Sequence, residues 1–197
     1  MSAPEGDAGT GTPEGISCAA LRADIVELAA LRERTQVLKA LAARRGLPLP
    51  AIGWIAAARD TLLLCVRPER WLLLTTPGPP GATLSLWREA CAGCAAAVEL
   101  SSALTALHLA GPAVRDVLAR GCRLDLHPET FVPGSAAATS MAQVPVMLAM
   151  LPGGWLLLTP SSTARHLREW LAATARPFGM GSGASVSVAS LSGEKNP

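Results

Sequence analysis

Charge is scarce in this 197-residue chain: only 16% of its residues are Asp, Glu, Lys or Arg. A soluble domain usually carries about 25%. Tyr is absent, there are two Phe, and Lys occurs only at Lys39 and Lys195. So few aromatics leave no platform for stacking single-stranded bases, and the dispersed Arg residues form no basic stripe, with Arg44-Arg45 the one tight pair. Nucleic acid is therefore not an expected partner. Long hydrophobic runs are missing too. Ile55-Ala56-Ala57-Ala58 and Trp71-Leu72-Leu73-Leu74 fall far short of the roughly 18 residues that a spanning helix needs. Residues 1–15 are acidic and rich in Gly and Pro, without the basic start and apolar stretch of an export signal. A cytoplasmic protein without a membrane partner is the expectation.

What is plentiful is apolar surface, at 50% of residues. That excludes disorder for the centre of the chain. At this length one domain, or two small ones, can bury a sizeable core. Apolar surface left over needs a protein partner to cover it.

The cysteines number five, an odd count without an export signal, which favours reduced thiols. Cys91-Ala-Gly-Cys94 is a lone C-x-x-C. No second pair follows at zinc spacing. A redox role needs the motif at a helix N-terminus, where a thiolate is stabilised; here it lies late in a helical stretch. Packing thiols are the stronger reading, and a redox protein using Cys91 and Cys94 the weakest alternative. His108, His127 and His166 form no ligand-spaced pair. No dinucleotide fingerprint, Walker loop or nucleophile elbow is present. Asp125 and Glu129 bracket His127, but loop polars beside a proline more often make turn hydrogen bonds. No catalytic, cofactor-binding or metal residue emerges.

An internal repeat does emerge. Leu62 to Val66, a turn at Arg67-Pro-Glu-Arg70 and Trp71 to Thr76 precede a helix with Trp87. Val146 to Met150, a turn at Leu151-Pro-Gly-Gly154 and Trp155 to Pro160 precede a helix with Trp170. The two Trp-Leu-Leu-Leu-Thr strings lie 84 residues apart and the helix tryptophans 83 apart. Each copy reads as a hairpin followed by a helix, capped near Thr83 or Ser85 in the first and Ser161-Ser162 in the second. Trp87, Leu167, Trp170 and Leu171 are expected to face the sheet. Continuous apolar runs imply strands buried on both faces.

Elsewhere, Ile25 to Leu31 fits strand or helix. Thr35 to Arg45 fits a helix with an apolar stripe at Val37, Leu38, Leu41 and Ala42, capped by Thr35 and ended by Gly46 and Pro48. Ala97 to Leu100 and Leu104 to Leu109 fit strands. Gly111-Pro112 opens a helix striped by Val114, Val117 and Leu118, and Gly121 ends it. Asp125 to Gly134 is a loop, and Ala136 to Met150 returns to strand. The class is α+β: small antiparallel sheets with packed helices and two hairpin-helix repeats. The expected organisation is a flexible tail over 1–15, a domain over 16–178 in two halves (16–98 and 99–178), and a Gly/Ser-rich tail over 179–197. In that tail Gly179, Gly181 and Gly183 alternate, and Val186 and Val188 could add a strand to a partner.

The string from Leu107 through Gly111-Pro112, Gly121-Cys122 and Asp125-Leu126 to Pro128, then Phe131-Val-Pro-Gly134, Thr139 and His166 to Leu171, resembles the gamma subunit family of heterotetrameric sarcosine oxidase. Gly46-Leu-Pro-Leu-Pro50 and Arg67-Pro-Glu-Arg-Trp-Leu72 fit the same pattern, as do the Trp71 and Trp155 sites. The resemblance covers about residues 20 to 179. The family turn reads Gly-Pro-Asp-Glu-Trp-Leu, where this chain has Arg67, Glu69 and Arg70. A family Cys ahead of Thr139 is replaced within Ala136-Ala-Ala138, and an Arg-Ser pair by Pro160-Ser161. Such departures fit a divergent bacterial member, including the gamma subunit of N-methylglutamate dehydrogenase.

The resemblance implies part of the folate-binding aminomethyltransferase fold of the glycine cleavage T-protein. It implies a complex that demethylates a secondary N-methyl amine and passes the one-carbon unit to tetrahydrofolate. FAD, FMN and NAD would sit in its alpha and beta subunits, zinc in delta and tetrahydrofolate in alpha. Gamma would hold no cofactor and would pack mainly on alpha, so no catalytic residue is carried over. The alternative is a stand-alone folate-binding or one-carbon-transfer protein, with Asp125 and Glu129 the nearest acids to hold a pterin.

Overall fold

A computed structural model of the chain describes residues 15–58 and 60–191. The chain runs β1 (Ile16–Arg22), β2 (Asp24–Ala30), α1 (Thr35–Arg44), β3 (Trp54–Ala58), β4 (Thr61–Arg67), β5 (Arg70–Thr75), α2 (Ala82–Ala90) and β6 (Ala95–Glu99). It continues with β7 (Leu104–Ala110), α3 (Val114–Ala119), β8 (Ala136–Met141), β9 (Val144–Leu151), β10 (Gly154–Pro160) and α4 (Ala164–Ala175). A 3₁₀ turn at Arg176–Phe178 leads to β11 (Met180–Ser182), β12 (Val186–Ser187) and α5 (Val188–Leu191).

The strands form two sheets. One has the order β3-β4-β5-β2-β6; the other runs β11-β1-β7-β10-β9-β8, with β12 also paired to β1. Three buried clusters explain how they stack. Ile25, Leu62, Leu64, Leu72 and Leu74 of the first sheet meet Ala106, Ala149, Leu151, Leu156 and Leu158 of the second. The outer face of the first sheet is closed by Leu38 and Ala42 of α1 and Trp87 of α2. Val114, Val117 and Leu118 of α3 and Leu167 and Leu171 of α4 close the outer face of the second. The layers are therefore helices, sheet, sheet, helices. Every central strand is covered on both sides, which is why β4, β5 and β10 are apolar at consecutive positions.

The duplication extends beyond the hairpin and helix. β2, β3, β4, β5 and α2 find counterparts in β7, β8, β9, β10 and α4 in both chain order and sheet order. β6 lies beside β2 as β1 lies beside β7, each pair antiparallel.

Several local expectations change. Thr35, Thr83 and Ser161-Ser162 cap no helix. α1 and α2 begin after Arg34 and Gly81, neither with a side-chain cap, and α4 begins after Thr163. The hydroxyls instead bond elsewhere: Thr83 Oγ1 donates to Asp24 Oδ2 at 2.9 Å and Thr35 Oγ1 to Glu69 Oε1. Val37 leaves the α1 stripe and is 47% exposed. Ile25 to Leu31 resolves as strand β2. Ala136 to Met150 is two strands, because Ala142 and Gln143 both take positive φ (49° and 65°) and turn the chain.

β1 and β3 carried no sequence expectation as strands. The segment from 180 to 191, expected as a tail, instead lies on the second sheet. β11 and β12 both run parallel to β1, and Val188 of α5 is wholly buried. Small residues permit this approach: a Cβ on Gly183 would already lie 3.1 Å from the Ala19 side chain. Among the described residues no helix is long and apolar enough to cross a membrane.

Candidate functional site

The loop that brackets His127 makes turns. Asp125 Oδ1 accepts from the His127 backbone N–H at 2.9 Å, and Oδ2 accepts from Thr130 Oγ1 at 3.0 Å. These bonds hold the exposed Asp125 carboxyl below its ordinary pKa, the backbone donor contributing most. The carboxylate is thus committed to its own loop. Leu126 beside it is buried, and its carbonyl accepts from Arg115 Nη1. The guanidinium of Arg115 also lies 5.0 Å from the Trp155 ring, which stacks on Phe131 at 5.5 Å and 12°. Arg115 and Trp155 together anchor the loop from Leu126 to Phe131 to the outer face of the second sheet.

The C-x-x-C follows α2 at the negative end of its dipole, which disfavours a thiolate. Both thiols are buried in the layer under α1 and α2. Cys91 Sγ donates to the Ala95 carbonyl at 3.5 Å, and Cys94 Sγ to the Cys91 carbonyl at 3.2 Å. Burial, then the neighbouring Cys94, pushes the Cys91 thiol above its ordinary pKa. This environment opposes redox activity. Among the described residues, no group of His, Cys, Asp and Glu is arranged to hold a metal ion.

The remaining motif residues fix close packing. Trp71 is buried on β5 and its Nε1 donates to the Pro50 carbonyl at 2.9 Å, which ties down the Leu-Pro-Leu-Pro linker. Lys39 of α1 and Arg45 just after it lie 6.0 and 5.8 Å from the Trp71 and Trp87 rings. Trp170 is half-buried and covers Gly121. A Cβ there would stand 2.4 Å from the indole, so Gly121 is needed for room and has no positive φ. Gly111 has φ 124°, and a Cβ on it would stand 2.1 Å from the Gly15 carbonyl oxygen. Pro112 lies two residues ahead of Val114, the first residue of α3, so it does not occupy the first helical position. Gly134 (φ 95°) receives Trp54 against it, and its carbonyl accepts from Ile55 N–H at 2.8 Å, joining the two sheets at β3. Thr139 Oγ1, on β8, lies 3.9 Å from Cys122 Sγ.

Sequence reasoning missed one polar cluster. Glu27 is 7% exposed on β2, where it accepts from Arg67 Nη2 at 2.6 Å and from Arg70 Nη1 at 2.7 Å. A lone Glu inside the apolar run Ile25-Val-Glu-Leu28, with two arginines in the β4–β5 turn, was the available signal. Glu69, in the same turn, has φ 58°, and its carbonyl accepts from Ala30 N–H at 2.9 Å. The three departures at 67, 69 and 70 therefore act as one unit that ties the turn to β2.

Two clefts lie apart from the Asp125 loop. One of about 580 Å³ lies between α4, β1 and β11, lined by Cys18, Leu107, Arg168, Arg176 and Met180. Another, of about 570 Å³, lies between β3, the Gly153 turn and Leu191. Neither contains Asp125, His127 or Glu129. The surface is more informative. Leu31, Val37, Ile52, Trp54, Leu86 and Val98 are the exposed large apolar residues among those described, between 45% and 56% accessible. All six belong to the first half of the duplication, and the second half contributes none.

Known proteins resemble this chain in both sequence and structure. The model of the family described as "Sarcosine oxidase, gamma subunit family" matches residues 34–176. The sarcosine oxidase subunit gamma of Corynebacterium sp. (strain U-96) is 35% identical over 136 residues, and that of Arthrobacter sp. is 34% identical over 137. Each match takes in 67% of this chain, and 65% and 66% of the relatives' own length. A chain of the heterotetrameric sarcosine oxidase from Corynebacterium sp. U-96, solved with pyrrole 2-carboxylate, superposes with a TM-score of 0.75 at 29% identity, covering 85% of this chain and 87% of that one. The glycine cleavage system aminomethyltransferase T of Bartonella henselae shares the fold, with a TM-score of 0.65 at 14% identity over 88% of this chain and 48% of its own. This likeness agrees with the α+β architecture expected from sequence. The chain belongs to the sarcosine oxidase gamma subunit family.

Proposed function

We propose that this chain is the non-catalytic gamma subunit of a heterotetrameric, flavin-dependent complex of the sarcosine oxidase type. The complex oxidatively demethylates a secondary N-methyl amine and passes the one-carbon unit to tetrahydrofolate. The observation that carries the reading is the superposition over 85% of the chain on a component of a heterotetrameric sarcosine oxidase. The chain's own chemistry supports it. The Asp125 carboxylate is spent on turn hydrogen bonds. Six large apolar side chains exposed on one half fit a surface that another subunit covers.

In this proposal FAD, FMN, NAD, zinc and tetrahydrofolate are held by the alpha, beta and delta subunits, and gamma packs mainly on alpha. Asp125 and Glu129, the acids nearest to a pterin-binding role, lie on an exposed turn outside the two clefts, which supports a pterin site on another subunit. The substrate is sarcosine or a related N-methyl amino acid such as N-methylglutamate. Affinity purification of the full chain co-expressed with larger flavin-bearing chains of the sarcosine oxidase type tests the reading. Stoichiometric recovery of those chains, with flavin absorbance and amine-dependent electron transfer, is expected. A monomeric chain that never associates with them, or one that saturably binds tetrahydrofolate alone, contradicts it.

A further inference from the structure

The two halves of the duplication treat equivalent sheet edges differently. β1 pairs with β7 on one side, and its other side is filled along its length by this chain. Ile16 to Cys18 pair with β11, and Leu21-Arg22 with β12, both parallel. Ile16 N–H donates to the Gly179 carbonyl at 2.9 Å, and Gly183 N–H to that of Cys18 at 3.1 Å. β6 holds the corresponding place beside β2, and among the described residues nothing pairs with its far side. The edges at β3 and β8 are each met at one end by the chain itself. Trp54 of β3 bridges to Ser135, and Met141 of β8 bridges to Cys122.

The open edge of β6 is competent to pair. Leu31 N–H donates to Cys94 and Leu100 N–H to Ile25, while Leu28 stands opposite Ala97 and Val26 opposite Glu99. That phase turns the main chain of Ala96 and Val98 toward β2. It leaves the main-chain groups of Ala97 and Glu99 facing outward. The strand reads Ala-Ala-Ala-Val-Glu, short of the lysines, prolines and bulges that usually protect an edge. Apolar side chains flank it: Val98 in the strand, Leu31 just before it in the ladder and Leu86 on α2, which packs on β6.

We propose that β6 is where another subunit of the complex adds a strand. The occupant is an extended segment of a partner chain, rich in small residues and running parallel to β6. It would reproduce at this edge what Met180-Gly-Ser182 and Val186-Ser187 provide at β1. This inference rests on the subunit reading above and locates its interface on the half that bears the exposed apolar residues.

Hydrogen exchange on the assembled complex tests it, together with two variants. Ala97→Pro removes an outward-facing N–H that no ladder bond to β2 uses, a position where an edge strand tolerates Pro. Val98→Lys puts a charge on the exposed flank without touching the core. In the wild-type complex the Ala97 and Glu99 amides are expected to exchange at least about a hundredfold slower than unstructured chain. Each variant is expected to recover at least about tenfold less partner while its circular dichroism and melting stay those of a folded chain. If the complex forms but those amides exchange at near-unstructured rates, the proposal is overturned. The same holds if both variants assemble like wild type, or if β6 is protected in a dimer of this chain alone. If wild-type chain assembles with no flavin-bearing partner, the subunit reading itself falls, and this inference with it.

Discussion

Glu27 shows how one side chain secures a turn. Its carboxylate is nearly buried while both arginines remain about half exposed, so water screens their side of the pair. Removing the acid strands no buried cation. Glu27→Ala is therefore expected to destabilise by about 1–2 kcal/mol, below the 3–5 typical of breaking a fully buried pair. Urea unfolding of the variant measures it.

His108 works in the other direction. It faces the space between the sheets, against Gly154, and its Nε2 has no hydrogen-bond partner. Burial lowers its pKa below the ordinary 6.5. The unfolded chain then binds a proton more readily than the folded one as pH falls below about 6.5, so stability declines on acidification through that range. A His108→Leu variant lacks this proton. Its stability relative to wild type is expected to rise as pH falls from 7 to 5; a constant difference would mean that His108 does not titrate below its ordinary value.

With a Cβ position 2.4 Å from the Trp170 indole, Gly121→Ala forces the ring aside. A loss of about 1–3 kcal/mol is expected in thermal or denaturant melts, as for other overpacked sites.

Among the elements, the β8–β9 turn carries stored strain. Ala142 and Gln143 both adopt left-handed conformations that Asn and Gly take with less cost. Ala142→Asn combined with Gln143→Gly is expected to raise stability by about 1 kcal/mol or more, read as an upward shift in the urea midpoint. The same strain hid the hairpin from the sequence, since Ala-Gln gives no turn signal and the apolar pattern runs on across it. Where residue chemistry and period agreed, the elements were legible: both Trp-Leu-Leu-Leu-Thr strands, α3 and α4 lie where spacing put them.

β1 was illegible for a different reason. Ile16-Ser-Cys-Ala-Ala-Leu-Arg alternates weakly, and its neighbours β7 and β11 lie about 90 and 160 residues further along the chain. The C-terminal strands were masked by their Gly and Ser content, which the close approach to β1 requires. Removing residues 180–197 uncovers β1 and the pocket of Val188. A loss of about 2 kcal/mol or more is expected from that side chain alone. Full stability in the truncated chain would contradict the packing described.

The whole molecule returns to the shortage of charge. Two sheets stacked face to face, each with a helical cover, absorb most of the apolar residues. The surplus is not spread evenly. Among the described residues its large exposed side chains all lie in one half, the half whose β6 edge is also open. Composition could indicate a surplus but not its place, because only the duplicated fold supplies a second, covered half for comparison. The candidate site was legible in one respect: the apolar excess pointed to a surface in need of cover. Its location depended on the pairing of β1 with a segment that reads as a tail.

The most direct measurement is the composition of the species this chain occupies. Full-length tagged chain, expressed with larger flavin-bearing chains of the sarcosine oxidase type, is passed over size exclusion with light scattering and flavin absorbance. The account predicts one species containing this chain and larger flavin-bearing chains in equal molar amounts. A monodisperse, flavin-free monomer, stable and eluting apart from those chains, would contradict it.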